Sequence, residues 1–263
     1  MNNPIIHSKS VAEICAIFGL AEPTHPLITI LDTQKIAYGE ETVGKKFTSD
    51  LYLIALKDVS CGIDYGRNNY DFDSGVLIFT APMQVITVKK PQELNQVKGW
   101  MLYFHPDLLK NSSLDSKIDS YSFFNYDVHE ALHLSENEQN TLHQIVQLIQ
   151  TELNEKIDNH SQQVLVSNIE LLLNYSKRFY ERQFNTRSAR NTDIIAKVES
   201  LLKKYYAENQ LTEKGKPTIH YLADHCHLSA SYLSDLLVKE TGRSAKEHIN
   251  DYIINQAKLL LLN

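Results

Sequence analysis

Small hydroxyl, acidic and basic side chains are grouped between residues 229 and 246 of the 263-residue chain. Serine can donate or accept at a base edge, tyrosine can contact a thymine methyl group or a phosphate, and aspartate can accept from cytosine N4. Lysine, arginine and the exposed amides of a helix N-terminus bind phosphate. These chemistries predict contacts with double-stranded DNA. The base-edge candidates are Ser231, Tyr232 and Asp235, and the phosphate candidates are Ser229, Lys239, Arg243 and Lys246.

The letters TIHYLADHCHLSASYLSDLLVKETGRS, which begin at Thr218, predict two short helices crossing through a tight turn, a helix-turn-helix. Thr218 and Ser229 are typical N-caps, and Ala223 is small where the second helix must cross closely. His227 stands in the turn where such motifs usually have glycine, and histidine tolerates a positive φ better than most residues. Gly242 is typical of a left-handed C-cap. An ordinary helical hairpin is the alternative, and the joint spacing favours the helix-turn-helix.

The region from Leu27 to about Phe104 predicts an all-β unit. Its β-type runs LITIL, LYLIALK, VLIFT, QVITVKK and WMLYF are separated by turn residues, and the repeated spacing favours a barrel or a sandwich. The preceding letters VAEICAIFGL predict a short helix. Glycines punctuate the β region at Gly39, Gly44, Gly62, Gly66, Gly75 and Gly99.

After about Leu134 the hydrophobic period changes from two to 3.6. Ser135 and Glu138 form a capping-box pattern before a first helix. A second helical stretch carries too much apolar surface for a lone helix to expose, so the two helices form either intramolecular core or part of a dimer interface. The apolar residues of the second stretch are Val164, Leu165, Ile169, Leu172, Leu173, Phe179, Tyr180 and Phe184.

Residues 185–192 are polar without an apolar period, which predicts a linker before a further helix. The formal charge of the chain is -6, and it is divided unevenly. Residues 187–263 hold 11 basic and 9 acidic side chains, a net of +2, whereas residues 1–186 hold 15 and 23, a net of -8. The second part therefore needs a shaped surface rather than bulk charge to bind phosphate.

Composition and motifs exclude several classes of protein. The three cysteines, Cys15, Cys61 and Cys226, form no CxxC pair, so they predict neither a disulfide framework nor a zinc site and fit a reducing cytoplasm. The N-terminal letters MNNPIIHSKS do not resemble a secretion signal, and no apolar run is long enough to span a membrane. A Gly-rich phosphate loop, a nucleophile elbow and HExxH are absent from the sequence, so we expect no enzyme and no cofactor.

Two histidine pairs could suggest a metal site. His129 with His133 and His225 with His227 lack a third ligand, so we expect no metal. Four aromatic residues of the β region have two possible roles: they could line a pocket for a small organic effector, or they could form part of the hydrophobic core. Aromatic residues in a small barrel more often belong to the core, which is the favoured interpretation. The four residues are Tyr65, Tyr70, Phe72 and Phe79.

Five segments together resemble AraC-type (AraC/XylS) transcription regulators. They are HPLITILD from His25, FDSGVLIFTAP from Phe72, GWMLYFHPDLL from Gly99, LADHCHLSASYLSDLLVKETG from Leu222 and AKLLL from Ala257. The resemblance covers nearly the whole chain, and the last two segments are the specific ones. It implies an α+β protein of two domains, with a cupin-like β-barrel and helices followed by an all-α helix-turn-helix domain.

The resemblance also implies an organisation and partners. Residues 1–130 would sense a small-molecule effector, 131–184 would contribute to a homodimer, 185–192 would be the linker, and 193–263 would read DNA. The resemblance allows RNA polymerase as a further partner, and it implies no membrane contact. The family often has arginine one turn before the alanine matching Ala257, and this chain has Ile253 there, so no phosphate contact is assigned to it.

The sequence stops at Asn263, where the family's second helix-turn-helix would begin. We therefore expect a shortened product with an incomplete reader, and weaker DNA binding than a longer chain because fewer phosphates are neutralised. The alternative function is an effector-binding or protein-interaction module that no longer binds DNA on its own. The regulator interpretation requires that the outward side chains of the second helix be accessible to a duplex.

Overall fold

A computed structural model of the protein describes residues 5–36, 45–57, 75–87, 99–127 and 130–262. The fold is mixed α+β. It divides into two compact units, the first made of Met1–Phe124 and Ala131–Tyr180 and the second of Asn125–Glu130 and Glu181–Asn263. The second unit thus combines two separate parts of the chain, because Asn125–Glu130 belongs to it although the first unit resumes at Ala131.

The strands of the described residues belong to the first unit and form two sheets. They are β1 (Ile6–Ser8), β2 (Ile28–Asp32), β3 (Lys46–Ser49), β4 (Tyr52–Lys57), β5 (Val76–Thr80), β6 (Ile86–Thr87), β7 (Gly99–Phe104) and β8 (Leu132–His133). One sheet is antiparallel in the order β2-β7-β4-β5-β8, and the other has the order β1-β3-β6 with β1 and β3 parallel. All five predicted β runs contain a strand, whereas β1, β3 and β8 were not predicted.

The β-barrel implied by the resemblance is not closed in the described part of the chain. The five-stranded sheet ends at β2 and β8, each of which pairs with a single neighbour, and β8 contributes only two residues. The central strands explain why the sheet stays open. Consecutive residues from Leu53 to Leu56, and from Trp100 to Phe104, are buried, so both faces of these strands are covered. A sheet covered on both faces buries its apolar residues without closing on itself.

Among the described residues, three α-helices contribute to the first unit. They are α1 (Val11–Ile17), α2 (Glu136–Asn154) and α3 (Ser161–Thr186), the last of which continues into the second unit. The capping box is confirmed: Glu138 N–H donates to Ser135 Oγ at 3.3 Å, and Ser135 N–H donates to Glu138 Oε2 at 2.9 Å. Helix α1 is also confirmed, and Ser10 caps it by accepting from the backbone of Glu13.

The helical core interpretation is confirmed for most of the predicted apolar residues. Seven of those predicted in α3 are buried, and Val164 is 39% exposed. Leu171 of α3 and Leu148 of α2 are 42% and 55% exposed. A dimer interface formed by these helices stays a prediction.

The predicted linker at residues 185–192 is helical in the structure. Helix α3 ends at Thr186, α4 (Ser188–Ala207) begins two residues later, and the two units part between Tyr180 and Glu181. The side chain of Asn191 explains why a polar stretch is ordered here. It is 1% exposed, and its Nδ2 donates to the carbonyl oxygen of Phe184 at 2.9 Å and to Glu240 Oε1 at 2.6 Å. At Asn191, therefore, the polar side chain serves buried hydrogen bonds rather than a loop.

The second unit is helical where it is described beyond α4. Its further helices are α5 (Gln210–Lys214), α6 (Ile219–Cys226), α7 (Ala230–Thr241) and α8 (Ala245–Leu262). Its core lies between α4, α6, α7 and α8 and includes Val198, Leu202, Leu222, Ala223, Leu233, Leu236, Leu237 and Ile249. Among the helices described, none is long and apolar enough to cross a membrane.

A buried histidine makes the first unit sensitive to acid. His25 is 8% exposed, its Nδ1 accepts from the backbone N–H of Leu27 at 3.1 Å, and burial lowers its pKa. The unfolded chain therefore binds a proton more readily than the folded one, so stability present above about pH 6.5 is lost as the pH falls below it. We expect His25→Gln to flatten the decline in the free energy of unfolding between neutral and mildly acidic pH, measured by urea titration. The matched variant His160→Asn, at an exposed position, is expected to leave the decline unchanged; equal slopes for the two variants would contradict the assignment.

Candidate nucleic-acid interface

The turn between α6 and α7 has the geometry that the sequence predicted. Thr218 caps α6, its Oγ1 accepting from the backbone N–H of Tyr221 at 3.2 Å. His227 has φ 58° and ψ 45°, the left-handed conformation expected at this position. The backbone N–H of Leu228 donates to the carbonyl oxygen of Ala223 at 3.0 Å, which satisfies an end carbonyl of α6.

Helix α7 begins and ends at the predicted caps. Ser229 Oγ accepts from the backbone N–H of Tyr232 at 3.2 Å. Gly242 has φ 71°, and its N–H donates to the carbonyl oxygen of Val238 at 2.9 Å. Leu233, Leu236 and Leu237 are fully buried, as predicted for the inward face. Both caps of α7 are therefore formed by residues close in sequence, and its inner face follows the predicted apolar pattern.

The basic candidates lie at the end of α7 and at the start of α8. Lys239, Arg243 and Lys246 are exposed, and Ser231 in the first turn of α7 is half-buried. Arg243 Nη1 donates to Asp251 Oδ2 at 3.2 Å, and both side chains are half or more exposed. An ion pair this exposed contributes little stability, so Arg243 can exchange this partner for a phosphate at small cost.

Tyr232 does not face outward as predicted. It is 4% exposed, and its ring packs against Phe184 and Tyr126 with centroid separations of 5.1 and 5.2 Å. Burial raises the pKa of Tyr232, and a hydrogen bond and the charge of Arg187 act in the opposite direction. A large ring beside the buried Leu233 gains more by joining this aromatic group than by remaining in water, so in this conformation Tyr232 is not a base-edge reader.

Residues 125–127 and 130, which we call the cover segment, engage two further candidates. Glu130 is 2% exposed; the backbone N–H of Ser229 donates to its Oε1 at 2.6 Å, and Ser229 Oγ donates to its Oε2 at 2.5 Å. The backbone N–H of Asp127 also donates to Oε2, at 2.7 Å. The Tyr126 hydroxyl donates to Asp235 Oδ2 at 2.5 Å. The cover segment was not foreseen, because nothing local in the sequence links position 130 to position 229.

Sequence reasoning also missed a lysine beside the motif. Lys216 and Lys246 line one groove of about 350 Å³ together with Thr218 and Ser244. Lys216 is exposed, and its Nζ donates to Asn250 Oδ1 at 2.7 Å. The sequence did contain a signal for Lys216 as a phosphate-binding candidate. It stands just before Pro217 and the N-cap of α6, and the start of a helix favours anions.

The metal and effector readings gain no support from the described residues. No group of three or more His, Cys, Asp or Glu side chains able to hold a metal ion occurs among them, and His129 lies outside them. His225 Nδ1 lies 2.7 Å from the carbonyl oxygen of Tyr221, and burial raises the pKa of Cys226. Histidine and cysteine here serve the α6 turn and the helix packing.

One of the four aromatic candidates lies among the residues that the structure describes. Phe79 is buried beside Phe123 and Phe124, which confirms its assignment to the core. Tyr65, Tyr70, Phe72, Cys61, Gly39, Gly44, Gly62 and Gly66 lie outside the described residues.

A small cavity lies inside the first unit. It measures about 40 Å³ and is lined mainly by apolar side chains, among them Phe47, Leu53 and Tyr103. The Oγ1 of Thr48 on its wall is buried and has no hydrogen-bond partner among the described residues. A space of this size holds a water molecule rather than an organic effector, so no effector site is assigned to it.

No family model and no curated protein matches this sequence. The resemblance to AraC-type regulators therefore stays an expectation based on its own residues.

Proposed function

We propose that the protein is a sequence-specific, DNA-binding transcription regulator of the AraC type, with the α6–α7 pair as its helix-turn-helix reader. One observation carries the proposal. Two capped helices meet at a left-handed His227, and three exposed basic side chains lie along the end of α7 and the start of α8. In helix-turn-helix proteins the second helix enters the major groove and neighbouring basic groups hold the phosphates.

The basic side chains of the second unit support DNA binding through their clustering rather than through net charge. A net of +2 over residues 187–263 is too small for binding by bulk charge. Lys239, Arg243 and Lys246 lie close in sequence around the turn from α7 to α8, and Lys216 joins Lys246 at one groove. Four cations presented together could neutralise four phosphates while Ser231 and Asp235 read base edges.

The remaining parts have roles by the same proposal. The first unit, with its two sheets, would sense a small molecule or a partner, and a ligand would act by binding one conformation more tightly than another. Exposed Leu148, Val164 and Leu171 on α2 and α3 support a homodimer contact there. No catalytic role is proposed, the compartment is the cytoplasm, and RNA polymerase is a further partner of this class.

A protein-interaction module that does not read DNA is the second candidate. The observation favouring it is that Ser229, Tyr232 and Asp235 are engaged by protein groups rather than open to a duplex. The two candidates differ in salt dependence, because counterion release accompanies phosphate contacts and is absent without them.

A salt titration of binding to a mixed-sequence duplex tests the proposal, followed by selection from a random duplex library. With three or four phosphates neutralised, we expect the logarithm of the association constant to fall with the logarithm of salt concentration with a slope of about -3. The selected sequences are expected to share a motif. Absence of binding at low salt would refute the regulator and leave the interaction module.

A further inference from the structure

We infer that the cover segment is a built-in competitor for DNA, in which the carboxylate of Glu130 occupies the position of a backbone phosphate at the start of α7. The inference rests on the proposed function and adds its regulation. It follows from contacts within the second unit alone, and the residues concerned are Tyr126, Glu130, Ser229 and Asp235.

The carboxylate of Glu130 has the chemistry of a phosphate substitute. It is an anion at the N-terminus of a 12-residue helix, and it accepts from both the backbone N–H and the hydroxyl of Ser229. A DNA phosphate in a helix-turn-helix complex uses the same kinds of donor, backbone amides at a helix start and a small hydroxyl. One donor set cannot serve both anions fully, so Glu130 and a phosphate at this position exclude each other.

Tyr126 extends the competition from the phosphate position to the base-reading side chains. Its hydroxyl donates to Asp235, and its ring packs edge-to-face against Tyr232. Tyr126 is itself 5% exposed. While these contacts persist, the Oδ2 of Asp235 accepts from Tyr126 and Tyr232 is held in the aromatic group.

The contacts of the cover segment are specific rather than incidental. A carboxylate that is 2% exposed is costly unless hydrogen-bonded, and Glu130 accepts from three donors. Both ends of the segment continue along the chain into the first unit, at Phe124 and at Ala131. The segment is therefore a covalent connection through which a change in the first unit can act on the reader.

Weakening the cover is expected to strengthen DNA binding. The apparent dissociation constant equals the intrinsic one divided by the open fraction, so a mostly closed protein gains affinity when the closed state is destabilised. For Tyr126→Phe combined with Glu130→Gln we expect at least about a tenfold rise in affinity for a mixed-sequence duplex. The Phe ring and the Gln amide preserve the size of both side chains, so the fold of the second unit is retained.

Asp127→Asn is the matched control. Asp127 is exposed and lies three positions before Glu130, to which it donates through its backbone N–H, so its replacement removes one negative charge and keeps that hydrogen bond. We expect its affinity to remain within about twofold of the unmodified chain, because one solvated charge contributes little. An equal gain for the control and the double variant would show a net-charge effect and overturn the inference.

Hydrogen exchange of the full chain supplies a readout that needs no DNA. Peptides containing Ser229 are expected to exchange faster in the double variant than in Asp127→Asn, since Glu130 protects that amide. Unchanged exchange overturns the inference whatever the affinities are. Faster exchange with equal affinities for DNA overturns the competition alone, whereas faster exchange with no DNA binding by any variant overturns the proposed function.

Discussion

Replacing Lys239, Arg243 and Lys246 together with glutamine is expected to lower duplex affinity about a thousandfold at physiological salt. Each exposed cation would lose one charge-assisted contact, worth about 1.5 kcal/mol, and each such loss is roughly a factor of ten. The slope of the logarithm of affinity against the logarithm of salt is expected to become shallower by about one per contact removed. A fluorescence-anisotropy titration at several salt concentrations measures both quantities.

Lys156→Gln is the control for the loss of a charge. Lys156 is exposed and belongs to the first unit, so its replacement is expected to change affinity and salt slope little. All three substitutions of the test variant are at exposed positions, and its thermal unfolding is expected to match that of the unmodified chain. If the triple variant kept the unmodified salt slope, the phosphate surface would have to lie elsewhere.

Gly99→Ala is expected to destabilise the first unit by about 3 kcal/mol or more. Gly99 begins β7 with φ 152°, and a Cβ there would lie 2.0 Å from the carbonyl oxygen of Leu56. That carbonyl belongs to β4, the central neighbour of β7, and cannot move without disturbing the pairing. The single tryptophan, Trp100, is buried beside this position, so its fluorescence in a urea titration reports the unfolding directly.

Gly75→Ala is the corresponding control. A Cβ at Gly75 would approach the Gln139 side chain to 3.3 Å, and the end of a flexible side chain can shift. We expect a change in the free energy of unfolding within about 1 kcal/mol. Equal losses for the two alanine variants would contradict the conformational argument for Gly99.

The cover segment changes what the proposed DNA-reading role of α7 requires. The regulator interpretation required accessible side chains on α7, and in this conformation Tyr232 is buried and Asp235 is hydrogen-bonded to Tyr126. Lys239, Arg243 and Lys246 remain exposed. Under the proposed function, DNA reading by Asp235 would depend on displacement of the cover segment, whereas phosphate contacts by the three cations would not.

Local sequence predicted the helix caps and most strands because these depend on neighbours in the chain. Ser135, Thr218 and Ser229 each bond a backbone N–H three residues ahead, and His227 adopts the one conformation that the turn permits. The β runs were recognisable since consecutive apolar residues between turns have few other structures. The polar stretch 185–192 is largely helical rather than irregular, and polar Asn191 within it finds buried partners that only the packed helices supply.

By itself, then, the sequence determined the α+β class, the capped helices around His227 and the basic side chains at the end of α7. Only the tertiary structure decided that the described strands form an open sheet, that Tyr232 turns inward, and that Glu130 reaches Ser229 across 99 positions of the chain. The physical reason is the range of the interactions. Caps and turns are satisfied within a few residues, whereas burial and long-range hydrogen bonds depend on which surfaces the folded chain brings together.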